Sequence, residues 1–180
     1  MATRSLRDTE QFKLGRRGER IVAAMFQRAG FWIIPSYDYA GEDGDTPPRL
    51  QGAHGHFVIP DFDAAIEGQR RWIEVKTKQG ATLHHLTGRY EHGFSLRLLE
   101  HYVEVQGITG TEVWVVVYEI ETGDVVYQTL DALYAVARFY HGPKMGPSGM
   151  VFFPKDAFLL FGNIDDVDAE TLALAGEARS

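Results

Sequence analysis

With 180 residues, 44% of them hydrophobic, the chain is long enough for one domain with a real core, and its lack of cysteine excludes a disulfide framework, a thiolate metal site and a cysteine nucleophile. No apolar run approaches the roughly 20 residues that span a bilayer, and MATRSLRDTEQF lacks the apolar stretch of a signal peptide, so the expectation is a cytoplasmic protein with no membrane partner. The formal net charge of −7 speaks against a generally basic surface, but residues 1–30 hold seven Lys/Arg against three carboxylates, while 163–180 hold five carboxylates against one arginine. A local basic stripe on an acidic body is compatible with phosphate binding.

Residues 9–29 read as one amphipathic helix, with Thr9 as cap and Gly30 as stop. At about 100° per residue, Phe12, Leu14, Ile21, Val22, Met25 and Phe26 share one side, and Lys13, Arg16, Arg17, Arg20, Gln27 and Arg28 share the other. Glu19 breaks the sorting. It projects between Phe12 and Phe26, where a charge is costly unless it is paired or faces a cation. A strand over 31–35 leads into SYDYAGEDGDTPPRLQGAHGH, rich in Gly, Pro and Asp and read as a long loop over 36–56, the kind that is usually functional or mobile.

Two strands, 57–66 and 71–78, flank EGQR, read as the four-residue connection of a hairpin. Pairing Ile66 with Arg71 sets Asp61 opposite Lys76, Asp63 opposite Glu74 and Ala65 opposite Trp72 on one face, with Phe62, Ala64, Ile66, Ile73, Val75 and Thr77 on the other. The alternation in RWIEVKTK suits either a solvated outer face or a site that needs a carboxylate beside an ammonium; for Asp63 a solvated or Arg-paired carboxylate is the simpler reading.

Downstream, 96–106 has helix spacing, TEVWVVVYEI (111–120) is a near-continuous buried strand, 124–128 is its hairpin partner or a sheet edge, and 130–140 reads as a helix. GPKMGPSG is a loop before two short segments, 150–153 and 155–161, and the acidic, Ala-rich end from 163 reads as a mobile tail. His54, His56, His84, His85 and His92 fall in loops, without the helix spacing or cysteine partners of a zinc site. The chain has no P-loop, no dinucleotide fingerprint and no GxSxG elbow.

Glu19, Asp61, Glu74 and Lys76 call for a common explanation. Carboxylates held together raise one another's pKa unless a cation intervenes. A hard divalent ion such as Mg2+ takes one or two carboxylates, a backbone carbonyl and waters, and binds substrate phosphate as well. It supplies a nucleophilic water and neutralises charge on a phosphodiester, and Lys76 adds a point charge beside it.

At these residues the chain resembles a known family. IPDFD, with 12 residues between Asp61 and Glu74 of EVK, looks like the PD-(D/E)xK nuclease motif, and GRRGERIV resembles the helix-glutamate signature of that superfamily, especially of its Holliday-junction-resolvase-like and related bacterial or phage nucleases. The resemblance spans Gly15–Lys78, and the following helix and strand, to about Ile120, match the expected order. It implies an α/β restriction-endonuclease-like fold, an α-β-β-β-α-β core with a mixed central sheet flanked by helices; it does not place the residues after about 120, and the single domain is expected to run over 1–162. It further implies that Asp61 and Glu74 ligate Mg2+ (Mn2+ as substitute) with the Val75 carbonyl, that Glu19 completes the shell directly or through water, and that Lys76 assists the nucleophile. DNA is the expected substrate, RNA remains open, and a homodimer is compatible. Arg16, Arg17, Arg20 and Lys78 are the candidate phosphate contacts. The alternative is a non-catalytic nucleic-acid-binding module, which has no need to retain mutually repelling carboxylates.

Overall fold

The computed structural model describes residues 10–36, 48–53, 55–140 and 149–167. The amphipathic run forms α1 (Glu10–Arg28), with Gly18, Ile21, Val22, Ala24, Met25 and Phe26 buried as the projection expects. Phe12, nearly two turns before the buried stretch begins, is exposed instead. The expected cap, Thr9, lies outside the described residues.

After β1 (Trp32–Pro35), the stretch read as a loop contains a hairpin, β2 (Arg49–Gly52) paired with β3 (Gly55–Val58). Residues 37–47 and His54 lie outside the described residues. The strand expected over 57–66 is consequently two: β3 ends at Val58, and β4 (Phe62–Ile66) begins after Asp61. Pro60 has no N–H for a ladder, and Ile59 gives its own to the Pro48 carbonyl.

Between β4 and β5 (Gln69–Lys78) only Glu67 and Gly68 turn the chain, both with positive φ (49° and 76°), the hand that matches the twist of paired strands. The ladder therefore pairs Ile66 with Gln69 and Asp63 with Trp72, two residues tighter than a four-residue EGQR connection predicts. Because side chains alternate with a period of two, this shift leaves every residue on its expected face.

The chain continues through β6 (Thr82–His84), β7 (Arg89–Ser95), α2 (Leu96–Thr109), β8 (Val113–Glu119), β9 (Asp124–Thr129), α3 (Leu130–Val136), β10 (Arg138–Tyr140), β11 (Met150–Pro154) and β12 (Leu159–Asn163). The helix expected over 130–140 stops at Val136: Ala137 is extended, and residues 138–140 pair with β11. His84 and His92, expected in loops, sit in β6 and β7. Residues 163–167, expected in the tail, are part of the fold. Asn163 accepts the Asp165 amide, and Val167 is buried beside the α1 core; the rest of the expected tail, from 168, lies outside the described residues.

A six-stranded mixed sheet, ordered β1-β4-β5-β8-β9-β12, forms the centre; β5 and β8 are its parallel pair. Parallel neighbours need a long crossover, and β6, β7 and α2 supply it. One face carries Phe62, Ala64, Ile73, Val75 and Val116 and is covered by Ile21, Val22, Met25 and Phe26 of α1. The other carries Trp72, Val113, Val115 and Val117 beneath Leu99, Tyr102 and Val105 of α2, Leu130 and Leu133 of α3, and Phe94, Val151 and Phe153 of a second sheet, β10-β11-β7-β6. Each fully buried large side chain contributes about 1.5–3 kcal/mol. Burial on both faces explains the unbroken apolar run of β8.

At Gly18 of α1 an added Cβ would collide with the Thr77 hydroxyl oxygen. Gly18→Ala is expected to destabilise the protein by about 1–3 kcal/mol through this clash, and adding Thr77→Ala should restore most of the loss. Denaturant melts of the single and double variants test this; wild-type stability in Gly18→Ala alone would mean that α1 is not seated so closely.

Candidate active site

Asp61 stands one residue before β4, where the antiparallel ladder has run out. Its carbonyl accepts the Ser36 amide at 2.8 Å, and its carboxylate Oδ2 accepts the Val75 amide at 2.8 Å. Extending the ladder by one pair places Asp61 beside Glu74. Glu74 and Lys76 alternate onto the same face, directly opposite Val115 and Val117 of β8. Glu74 is 1% exposed and accepts hydrogen bonds from the Lys76 ammonium and the Tyr102 hydroxyl. Glu19 reaches the group from α1; it is half-buried and accepts Arg16 Nη1 at 2.7 Å.

These groups feel one another. Burial pushes the Asp61 carboxyl well above the ordinary aspartate range, and Glu74 and Glu19 push the same way, against Lys76 and the Val75 amide. Burial also raises Glu19, with Glu74 adding to it and Arg16 and Lys76 opposing. For Lys76 burial acts downward, but Glu74 and Asp61 outweigh it and hold the side chain as an ammonium. Burial, then the negative charge of Glu74 and Asp61, holds the Tyr102 hydroxyl protonated. The result is three carboxylates around a fixed cation, with one phenol donating into the cluster.

The structure thus brings together Glu19, Asp61, Glu74 and Lys76, with Val75 tied in through its amide and Arg16 through Glu19. Arg17 and Arg20 lie exposed on α1. Lys78 is turned to the Gly93 carbonyl on β7, at 2.9 Å, and lies over the Phe94 ring; burial and then Lys76 lower its pKa. Asp63, facing the same way, is paired with Arg70, whose Nε donates at 2.7 Å. Tyr102 escaped the reading of the sequence because Leu99, Tyr102 and Val105 share one helix stripe and read as plain core. The sole signal was a hydroxyl on a buried stripe, which needs a partner.

A second buried charged group lies farther along the same face. Glu119, beside Lys78 in the register, sits 2.6 Å from Lys155 and 3.0 Å from His92 Nε2. Glu91 accepts the Thr87 hydroxyl at 3.1 Å, with Arg138 at 3.8 Å. All three of Glu91, His92 and Glu119 are fully buried. They join the second sheet to the end of β8 and stand apart from the Asp61 cluster.

No protein-family profile and no curated protein matches the chain. Among solved structures it is similar to Hjc, a Holliday junction resolvase from the archaeal hyperthermophile Archaeoglobus fulgidus, at 18% identity and a TM-score of 0.49 over 79% of this chain and 90% of that one. It is also similar to D212, a nuclease from a fusselovirus, at 12% identity and a TM-score of 0.45 over 98% of this chain and 95% of the other. No helix among the described residues is long and apolar enough to cross a membrane.

Proposed function

We propose that the protein is a divalent-metal-dependent nuclease that hydrolyses phosphodiester bonds in DNA. The observation that carries this reading is the convergence of Glu19, Asp61 and Glu74 on Lys76, with burial and neighbouring carboxylates driving Asp61 away from its ordinary ionisation. Stability alone gives no reason to gather like charges in a half-buried corner, whereas binding a cation does.

The donor set fits Mg2+, or Mn2+ in its place. Among the described residues no three or more His, Asp or Glu side chains form a ready-made metal cage. An ion that takes two carboxylates and completes its shell with carbonyl, water and substrate phosphate needs none. Asp61 and Glu74 would hold it. Val75 gives its N–H to Asp61 at the edge of β5 beyond the end of β4, and the N–H and C=O of one strand residue point to the same side, so its carbonyl is directed there too. Glu19 would complete the shell directly or through water. The bound ion supplies positive charge for the phosphate and lowers the pKa of water.

Glu74 and Asp61 favour the charged form of Lys76. It donates to the attacking water or to a non-bridging phosphate oxygen and offsets charge that develops there. Tyr102, fixed by the packing of α2 on the sheet, keeps one Glu74 oxygen oriented.

The decisive experiment incubates labelled linear, nicked, single-stranded and four-way DNA with the protein in Mg2+, Mn2+ or EDTA, alongside calorimetry with Mn2+. Cleavage in either ion and none in EDTA is expected, with Mn2+ binding that disappears in Asp61→Asn. Absence of both cleavage and Asp61-dependent Mn2+ binding would leave a non-catalytic nucleic-acid-binding module as the better description.

The basic side of α1 is the proposed phosphate-steering surface. Replacing Arg17 and Arg20 by Gln should weaken DNA binding and reduce the slope of log K against log salt by up to about two, without moving the cleavage position. An unchanged slope would place the DNA surface elsewhere.

A further inference from the structure

β1 is an edge strand of the central sheet, and its side chains divide cleanly. Ile33 packs into the α1 core, whereas Trp32 and Ile34 point the other way and are 82% and 47% exposed. The register extends their face across the sheet. Trp32 stands beside Ala65, which stands beside Arg70; Ile34 stands beside Asp63, which stands beside Trp72; one step on, Ser36 meets Asp61 through a backbone bond. Trp32 and the carboxylate cluster therefore lie on one continuous face, separated by four strand residues, or about 14 Å at 3.4 Å per residue.

We propose that Trp32 is a stacking post for an unpaired base on the DNA strand whose backbone occupies the Asp61–Glu74 site. This rests on the nuclease reading above and adds the substrate class to it: DNA with an unpaired base about four nucleotides from the scissile bond. An indole exposed on a sheet offers its flat face to one base, and only a base released from its helix can use it. At about 3.4 Å per nucleotide along a stacked strand, the distance corresponds to roughly four nucleotides. The patch is too small for the alternative of a second copy of the chain: an indole and one isoleucine expose on the order of 300 Å², against roughly 800 Å² per partner in a stable interface.

Trp32 also reports on itself. Trp72 is 6% exposed and gives its indole N–H to Thr109, and Trp114 is half-buried and stacked on Tyr127, so a ligand that changes tryptophan emission on this face acts first on Trp32. The test titrates the full-length protein in EDTA, so that nothing is cleaved, with a short oligothymidylate, the same oligonucleotide carrying abasic sites, and a blunt duplex. Quenching by the first and not by the other two is expected. Trp32→Phe should abolish the quench while keeping affinity within about threefold, and Trp32→Ala should weaken the single strand about tenfold while changing the duplex less than twofold. Equal quenching by the abasic strand, or unchanged single-strand affinity in Trp32→Ala, would overturn the proposal. So would a sedimentation change from dimer to monomer in Trp32→Ala with DNA binding intact, which would assign the patch to a second copy. Metal-dependent cleavage by wild-type protein without the quench sinks the stacking post alone; the quench without any cleavage sinks the nuclease reading alone.

Discussion

Asp61→Asn is expected to lower DNA cleavage by on the order of a thousandfold while raising the melting temperature of the metal-free protein. The amide keeps the oxygen that accepts the Val75 N–H, so the corner between β1, β4 and β5 should remain built. What disappears is a buried negative charge beside Glu74 and within reach of Glu19. Each kcal/mol so relieved is worth about 2–4 °C in a protein of this size.

The pH dependence gives the sign independently. The folded Asp61 pKa lies above its ordinary 3.8, so the folded state holds the proton more tightly than the unfolded state does. The stability this provides is complete below the unfolded pKa and is lost as pH rises through the folded one. In EDTA, the gap in melting temperature between Asp61→Asn and wild type should therefore widen as pH rises through that window and close below it. Full cleavage by the purified variant, or a variant less stable than wild type at every pH, would rule out a charge-strained metal site at Asp61.

Glu19→Gln is expected to cut the cleavage rate by about two to three orders of magnitude yet leave metal-free stability within about 1 kcal/mol of wild type. Two effects oppose each other. Glutamine removes the repulsion from Glu74 but gives up the 2.7 Å ion pair with Arg16. A glutamate of purely structural value would show the reverse, with stability lost and the rate retained. Glu10 is the matched control: it lies on the same helix, pairs with Lys13 at 3.0 Å and is well exposed. Glu10→Gln should change neither quantity. Single-turnover rates in saturating Mg2+, set beside denaturant melts of the three proteins, decide the matter. A near-wild-type rate for Glu19→Gln would remove α1 from the chemistry and leave the hairpin as the whole of the site.

Local periodicity carried much of this protein. The sorting of α1 into an apolar and a basic side, and Glu19 as the residue that breaks it, follow from 3.6-residue repetition alone. So do the two faces of β4 and β5 from a repeat of two, because side-chain direction is a property of the backbone and needs no partner. That is why Asp61, Glu74 and Lys76 could be placed on one face even though the assumed register was off by two residues: an even shift preserves faces. The register itself depended on Glu67 and Gly68 both taking positive φ, which is a choice made by the twist of the strands they join.

Tertiary packing decided the rest. β7 finds a partner in β11, more than 50 residues away, and a segment holding Arg89, His92 and Gly93 reads as a loop until that pairing exists. The same pairing partner, β11, turns 138–140 from helix into strand. Glu91, His92 and Glu119 became a buried charged cluster only when the second sheet closed over the end of β8. Tyr102 belongs to the same class. Helix spacing says that it is buried, but not that its hydroxyl meets Glu74, because a contact between α2 and β5 is set by how the crossover packs and leaves no period in the chain.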